Sequence, residues 1–242
     1  MISFHWYGFL IGLGILGAFQ VSLKFAKTRG IKEKVVEKMA WWVIIGGLIG
    51  ARIYHVVDLW NKVYKLNPVS SLYIWNGGLG IWGGILGGLV GLIANFKFQI
   101  SNFKTKVKLL DLMDVAVIGV PLGQAIGRLG NWVNGELYGK NGEPLFAWEA
   151  GLNLLLFLIL WRVGKLSGST SEQSPKATVS DEKPFAGKIT GAYLIGYGLI
   201  RILLENFRPE EIIWRWYGIP MAIIMGVISL LVGGLVWKGR RS

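Results

Sequence analysis

Residues 109–139 read LLDLMDVAVIGVPLGQAIGRLGNWVNGELYG. The segment from Leu109 to Ile126 is hydrophobic, contains Pro121, and leads with Gly119 and Gly123 into Gly127 at four-residue steps. It is about the length that crosses a bilayer as a helix, which predicts that Arg128 sits near a membrane surface. The thirteen residues Gly127 to Gly139 then gather an arginine, two asparagines, a glutamate, a tyrosine and four glycines. Such a cluster at the mouth of a span is costly unless it is buried in protein or used on a ligand.

Composition points the same way. Of the 242 residues 52% are hydrophobic and only 17% charged, with mean hydropathy +0.48, where an ordinary soluble domain is about 25% charged. The expected class is an all-α polytopic membrane protein, a single bundle over residues 1–242. Twelve tryptophans suit interfacial belts, and thirty-five glycines suit close helix packing. The absence of cysteine excludes disulfides, thiolate metal sites and a cysteine nucleophile of the chain's own. Two histidines, His5 and His55, leave little scope for a metal site. No GxxxxGK[ST] or HExxH occurs, so nucleotide and zinc-protease chemistry have no support.

Seven spans are expected: His5–Phe25, Met39–Leu59, Leu79–Phe96, Leu109–Ile126, Phe146–Val163, Ile189–Phe207 and Ile219–Trp237. The first, with no preceding positive charge and no small-residue cleavage site, reads as a retained span rather than a signal peptide. In the third, Gly80-Gly84-Gly88 and Gly83-Gly87-Gly91 form two small-residue stripes. Pro220 suits the first turn of the seventh. The segment from Gly164 to Lys188, rich in Ser, Thr, Lys and Glu, is expected to be a mobile loop.

With alternate loops assigned to opposite sides, one side carries eighteen lysines and arginines and the other seven. The positive-inside rule then puts the N-terminus outside and the C-terminus in the cytoplasm, with the 164–188 loop cytoplasmic. The net charge of +12 thereby faces anionic inner-leaflet lipid, and nucleic acid is not needed to explain it.

On that topology Arg52, Arg128, Glu149, Arg201, Glu205 and Arg208 fall at one depth, toward the outer leaflet. Tyr197, Arg201, Glu205 and Arg208 are spaced to share one helical face. An Arg201–Glu205 structural pair is the plain reading. The alternative is that the surplus of arginine over nearby acid binds an anion such as a phospholipid phosphate.

Gly127–Gly139 resembles the signature of the prolipoprotein diacylglyceryl transferase family, Gly-Arg-x-Gly-Asn-aromatic-x-Asn-x-Glu-x-x-Gly, matching at every fixed position. Further segments are similar to the family's: His5-Trp6-Tyr7-Gly8, Gly50-Ala51-Arg52, Trp75 through Gly84, Gly196-Tyr197-Gly198, and Arg201 through Arg208. The resemblance implies a bacterial plasma-membrane enzyme without cofactor. It would transfer an sn-1,2-diacylglyceryl group from phosphatidylglycerol to the lipobox cysteine thiol of a prolipoprotein, leaving a thioether and glycerol phosphate. It implies Arg128, Arg201, Glu205 and Tyr7 as catalytic residues. Arg52, Asn131, Asn134, Glu136, Gly139, Tyr197, Arg208 and His5 are implied as substrate-binding.

The chain also departs from the family. Trp82 stands where many relatives carry a histidine proposed as base, leaving His5 and Glu205 as base candidates, His5 being also a plain interfacial anchor. The His-Pro-Ser-Gln element is reduced to Glu143-Pro144-Leu145-Phe146, and the Met-Gly-Gln-x-Leu-Ser stretch has become Tyr217-Gly218-Ile219-Pro220-Met221-Ala222. A catalytically silent relative that binds lipid or lipobox peptide, and a small anion or lipid transporter, are the alternative readings.

Overall fold

A computed structural model of the chain describes residues 6–74, 77–103, 107–169 and 186–238. Among them lie eight α-helices: α1 (Trp6–Thr28), α2 (Glu33–Asp58), α3 (Ile81–Phe103), α4 (Leu109–Val117), α5 (Val120–Val133), α6 (Leu145–Ser169), α7 (Lys188–Glu205) and α8 (Met221–Lys238). Six apolar stretches are long enough to cross a membrane: α1, α2, Ile81–Gln99 of α3, Leu109–Val133 across α4 and α5, Leu145–Leu166 of α6, and α8. α7, the remaining expected span, is an 18-residue helix that carries Lys188, Arg201 and Glu205. Each of the other six contains an 18-residue window with at most two charged residues, and α7, only 18 residues long, carries three.

The chain forms two compact units, one of residues 1–30 and 113–242 and one of residues 31–112. In the first, α1 packs on α5, α5 on α6, α6 on α7, and α7 on α8. In the second, α2 and α3 form a tight antiparallel pair.

Small residues decide these seams. A Cβ at Gly83, Gly87 or Gly91 of α3 would strike the backbone of Gly50, Gly46 or Trp42 of α2. In the other expected stripe, Gly84 and Gly88 have room for a Cβ at ordinary van der Waals distance and Gly80 abuts the Tyr54 ring, so only the Gly83-Gly87-Gly91 stripe is pressed against backbone. On the α1–α5 seam, Gly119 and Gly123 meet the carbonyls of Ala18 and Gly14, while Gly127 has open space beside it. Gly191 and Gly198 of α7 meet the carbonyls of Gly233 and Gly226 of α8, a spacing of two helical turns.

Three expectations are corrected. The fourth span is two helices in line: Pro121 has no N–H to donate and its ring crowds the carbonyl four residues back, so α4 stops at Val117 and α5 restarts at Val120. Pro220 is not in a first helical turn. Ile219–Pro220 is a strand, β2, paired antiparallel with β1 (Arg215–Trp216), and α8 begins one residue later. Tyr217 and Gly218, with φ 48° and 80°, make the two-residue turn between them. The loop expected from Gly164 to Lys188 is shorter at both ends, because α6 continues to Ser169 and α7 begins at Lys188; residues 170–185 of that expectation lie outside the described residues.

α7 is started from elsewhere in its unit. Asp114 of α4, 2% exposed, accepts hydrogen bonds from the backbone N–H of Gly187 and Thr190 at 2.9 and 2.8 Å and from the Thr190 hydroxyl at 2.7 Å. It acts as the N-cap that the local sequence at Gly187 lacks.

Candidate active site

The helical half of the signature ends in a Schellman motif. The N–H of Glu136 reaches the Asn131 carbonyl at 2.8 Å and that of Gly135 reaches Trp132 at 3.0 Å, with Gly135 at φ 68°. This closure folds the chain back so that Glu136 accepts hydrogen bonds from the side-chain amides of Asn131 and Asn134, at 3.2 and 3.3 Å. Asn131 in turn accepts from Arg128 at 3.1 Å. The polar residues of the signature are thus one connected chain, Arg128–Asn131–Glu136–Asn134.

Gly139 closes the signature for a steric reason. A Cβ there would strike the Glu143 carboxylate and the Phe207 carbonyl. Its N–H donates to the Glu143 carbonyl at 2.8 Å, and the N–H of Lys140 donates to Phe207 at 2.9 Å. The turn is thereby tied to the end of α7. The Glu143 carboxylate is held below the usual range by its own backbone N–H, then by the Asn141 side-chain amide and backbone N–H.

Glu149, in the first turns of α6 and 2% exposed, is the centre of the site. It pairs with Arg128 of α5 at 2.8 Å and with Arg201 of α7 at 3.7 Å. Glu205 pairs with Arg201 at 3.9 Å and with Arg208 at 3.3 Å. The result is a continuous network, Arg128–Glu149–Arg201–Glu205–Arg208, across three helices, with one positive charge more than negative. Tyr197, one turn before Arg201, stacks on Tyr193. Tyr7 of α1 lies against Gly130, where a Cβ would enter its ring.

Donor accounting separates the arginines. A guanidinium has five N–H groups. Arg128 and Arg201 are only part-exposed, yet Arg201 makes no hydrogen bond shorter than its ion-pair distances among the described residues. Arg128 leaves its buried Nε without a partner. Both retain donors for an anion. Arg52 does not, since all five of its N–H groups are given to backbone carbonyls of its own unit. The structure therefore brings together Tyr7, Arg128, Asn131, Asn134, Glu136, Gly139, Tyr197, Arg201, Glu205 and Arg208. Arg52, expected as a substrate ligand, spends its N–H groups on carbonyls of its own loop, and His5 lies outside the described residues.

The residue that the sequence grouped with the arginines but left out of the site residues is Glu149. Its signal was an acid opening an otherwise apolar span. Beneath it, one turn deeper on each helix, are Asn153, Gln124 and Tyr193, with Gln124 donating to the Tyr193 hydroxyl at 3.1 Å. Beside the network an apolar groove of about 520 Å³ runs between α6 and α7, lined by Trp148, Gly151, Leu155, Leu203 and Phe207 among others.

The family model described as prolipoprotein diacylglyceryl transferase matches residues 1–238. A phosphatidylglycerol–prolipoprotein diacylglyceryl transferase of Synechococcus elongatus is 31% identical, over 98% of this chain and 84% of that protein. Those of Finegoldia magna and Clostridioides difficile are each 29% identical, over 97% of this chain and 90% of theirs.

Proposed function

This chain belongs to the prolipoprotein diacylglyceryl transferase family, and from that premise we propose how its residues carry out the reaction. The enzyme transfers the sn-1,2-diacylglyceryl group of phosphatidylglycerol to the lipobox cysteine thiol of a prolipoprotein, the first step of lipoprotein maturation. The site faces the outer leaflet of the plasma membrane, with seven spans, the N-terminus outside and the C-terminus in the cytoplasm.

The thiol gives its proton up to water, and sulfur attacks the glycerol carbon that bears the phosphate. The C–S bond forms as the C–O bond breaks, and the electron pair leaves on the phosphate oxygen of glycerol phosphate. Negative charge therefore grows on the phosphate, and fixed positive donors around it lower the barrier. The observation that carries this reading is the Glu149 carboxylate shared by Arg128 and Arg201. It fixes two guanidiniums from different helices toward one another while leaving each with unspent donors. Arg128 and Arg201 clamp the phosphate. Asn134 and Glu136 meet the glycerol hydroxyls, Asn131 orients Arg128, and Tyr7 and Tyr197 wall the site. The groove between α6 and α7 takes an acyl chain. The guanidinium field lowers the thiol's pKa from its ordinary value of about 8.5 toward neutrality.

Trp82 accepts no proton, so no base acts from that position. Glu205, 3% exposed and held between two arginines, is committed to positioning.

The test is transfer from phosphatidylglycerol vesicles to a lipobox peptide by purified protein. Transfer that survives Trp82→Phe and is lost in Arg128→Ala and Arg201→Ala is the expected result. No transfer by the wild type would favour the catalytically silent relative. Vesicle flux of lipid or anion without transfer would favour the transporter.

A further inference from the structure

Arg52 is 9% exposed near the end of α2. Its Nε donates to the Ser71 carbonyl at 2.8 Å, one terminal nitrogen to Gly77 and Gly78 at 2.7 and 3.0 Å, and the other to Ser70 and Tyr73 at 2.9 and 3.3 Å. The guanidinium also lies over the Tyr64 ring, 5.5 Å from its centroid. Five carbonyls of an irregular segment are thus satisfied by one buried side chain. Carbonyls in a water-exposed loop need no such donor, because water supplies it. Irregular backbone at membrane depth does need it, since lipid offers no hydrogen-bond donors to replace water.

The side chains of the same segment give a second, independent observation. Between the π-helical turn Trp60–Tyr64 and the 3₁₀ turn Pro68–Leu72, and just beyond, Leu66 is 92% exposed and Leu72 71%, with Val69 and Ile74 also exposed. A loop facing water would not present four aliphatic side chains outward. Lys62 and Lys65, also exposed, supply the charge that matches anionic lipid phosphates.

We propose that the segment from Trp60 to Ile74 is a lipid-docking platform, lying in the membrane interface rather than in water. Its occupant is the phospholipid leaflet into which α2 and α3 themselves run. Leu66, Val69, Leu72 and Ile74 enter the acyl region, Lys62 and Lys65 engage headgroup phosphates, and Arg52 satisfies from within the carbonyls that lipid cannot.

The chain has no cysteine, so Val69→Cys, Leu72→Cys and Asn141→Cys each introduce a single labelling site. The full-length protein, labelled with an environment-sensitive fluorophore, is reconstituted in phosphatidylglycerol/phosphatidylcholine vesicles with or without bromine on the acyl chains. Labels at positions 69 and 72 should lose most of their emission in brominated vesicles, while the label at 141, in the polar turn tied by Glu143, keeps its own. Equal behaviour at all three positions overturns the proposal. So does quenching that depends on protein-to-lipid ratio, which would mean a second copy, or that appears only with a brominated lipobox peptide. In the Leu72→Cys background, Arg52→Ala should restore emission in brominated vesicles and open tryptic cleavage at Lys65. Arg52→Lys should not rescue it, because an ammonium offers three donors to five carbonyls. A label at 72 that stays quenched in a folded Arg52→Ala variant overturns the clamp; if that variant does not accumulate, the bromine comparison in the Arg52 protein decides. None of these readouts requires transferase activity.

Discussion

All five N–H groups of Arg52 are donated to carbonyls, whereas Arg128 keeps donors unspent beside Glu149 and Asn131. On the proposed function the charge-bearing role in the reaction falls to Arg128, with geometry mattering as well as charge. Arg128→Ala should lower transfer by about a hundredfold or more, the usual cost of losing a donor aimed at developing negative charge. Arg128→Lys should recover little of it, since an ammonium cannot serve Glu149, Asn131 and a phosphate in one plane. Steady-state transfer to a lipobox peptide measures both. A second residue-scale expectation concerns Glu143, whose carboxyl is depressed by hydrogen bonds from its own N–H and from Asn141. A depressed acid stabilises its fold above its ordinary value and loses that contribution as pH falls through the lower one. Hydrogen exchange at the Gly139 and Asn141 amides, corrected for intrinsic rates, should be flat from neutral pH to the ordinary glutamate value of 4.5 and accelerate below it. Glu143→Gln should remove that acceleration.

Among the elements, the α2–α3 pair tests how strictly a seam depends on glycine. Gly87 abuts the backbone of Gly46 and Gly50, while Gly88 meets only the Val43 side chain and carbonyl at 3.6 Å. Gly87→Leu should destabilise the protein by about 1–3 kcal/mol or more through overpacking, and Gly88→Ala should be close to neutral. Thermal unfolding in detergent distinguishes them. α7 presents a different dependence, because its N-terminus is capped by Asp114 of α4 rather than by its own sequence. Asp114→Ala should cost about 1–2 kcal/mol by loss of the cap. Asp114→Asn, which keeps an acceptor, should cost less in the same measurement. Since α7 carries Tyr197, Arg201 and Glu205, a frayed start should lower transfer without touching the site itself.

At the scale of the whole molecule, the unequal distribution of eighteen against seven basic residues makes orientation testable. An impermeant thiol reagent applied to intact cells should label an Asn141→Cys variant and not a Lys32→Cys variant. The reverse pattern would invert the protein and place the arginine network against the inner leaflet. α7 belongs to this scale too. It carries three charges in 18 residues, where each of the six candidate spans has an 18-residue window with at most two, and a helix of that kind is stable in a membrane only where its charges face protein partners. Arg201 and Glu205 have such partners in Glu149 and Arg208.

What the linear chain determines is whatever rests on one-dimensional quantities. Runs of apolar residues place the helices, and the spacing of Tyr197, Arg201 and Glu205 puts them on one face of α7. The signature marks the site for the same reason, because Arg128 through Glu136 interact within one helix end and its Schellman turn. Donor accounting is not one-dimensional. Arg52 and Arg128 are equivalent as letters at similar depth, and only the fold shows one saturated by carbonyls 18 to 26 residues away and the other facing a carboxylate on the next helix. Glu149 gains its place only when α5, α6 and α7 converge on it, and Asp114 becomes a cap only when α7 arrives 73 residues later. Pro220 is a helix starter by local preference, yet the pairing of Arg215–Trp216 with Ile219–Pro220 holds it in a strand. For Arg52, Glu149 and Asp114 a partner distant in sequence decides the role, and tertiary contact alone supplies it; for Pro220 a strand only five residues back outweighs the local helix-starting preference.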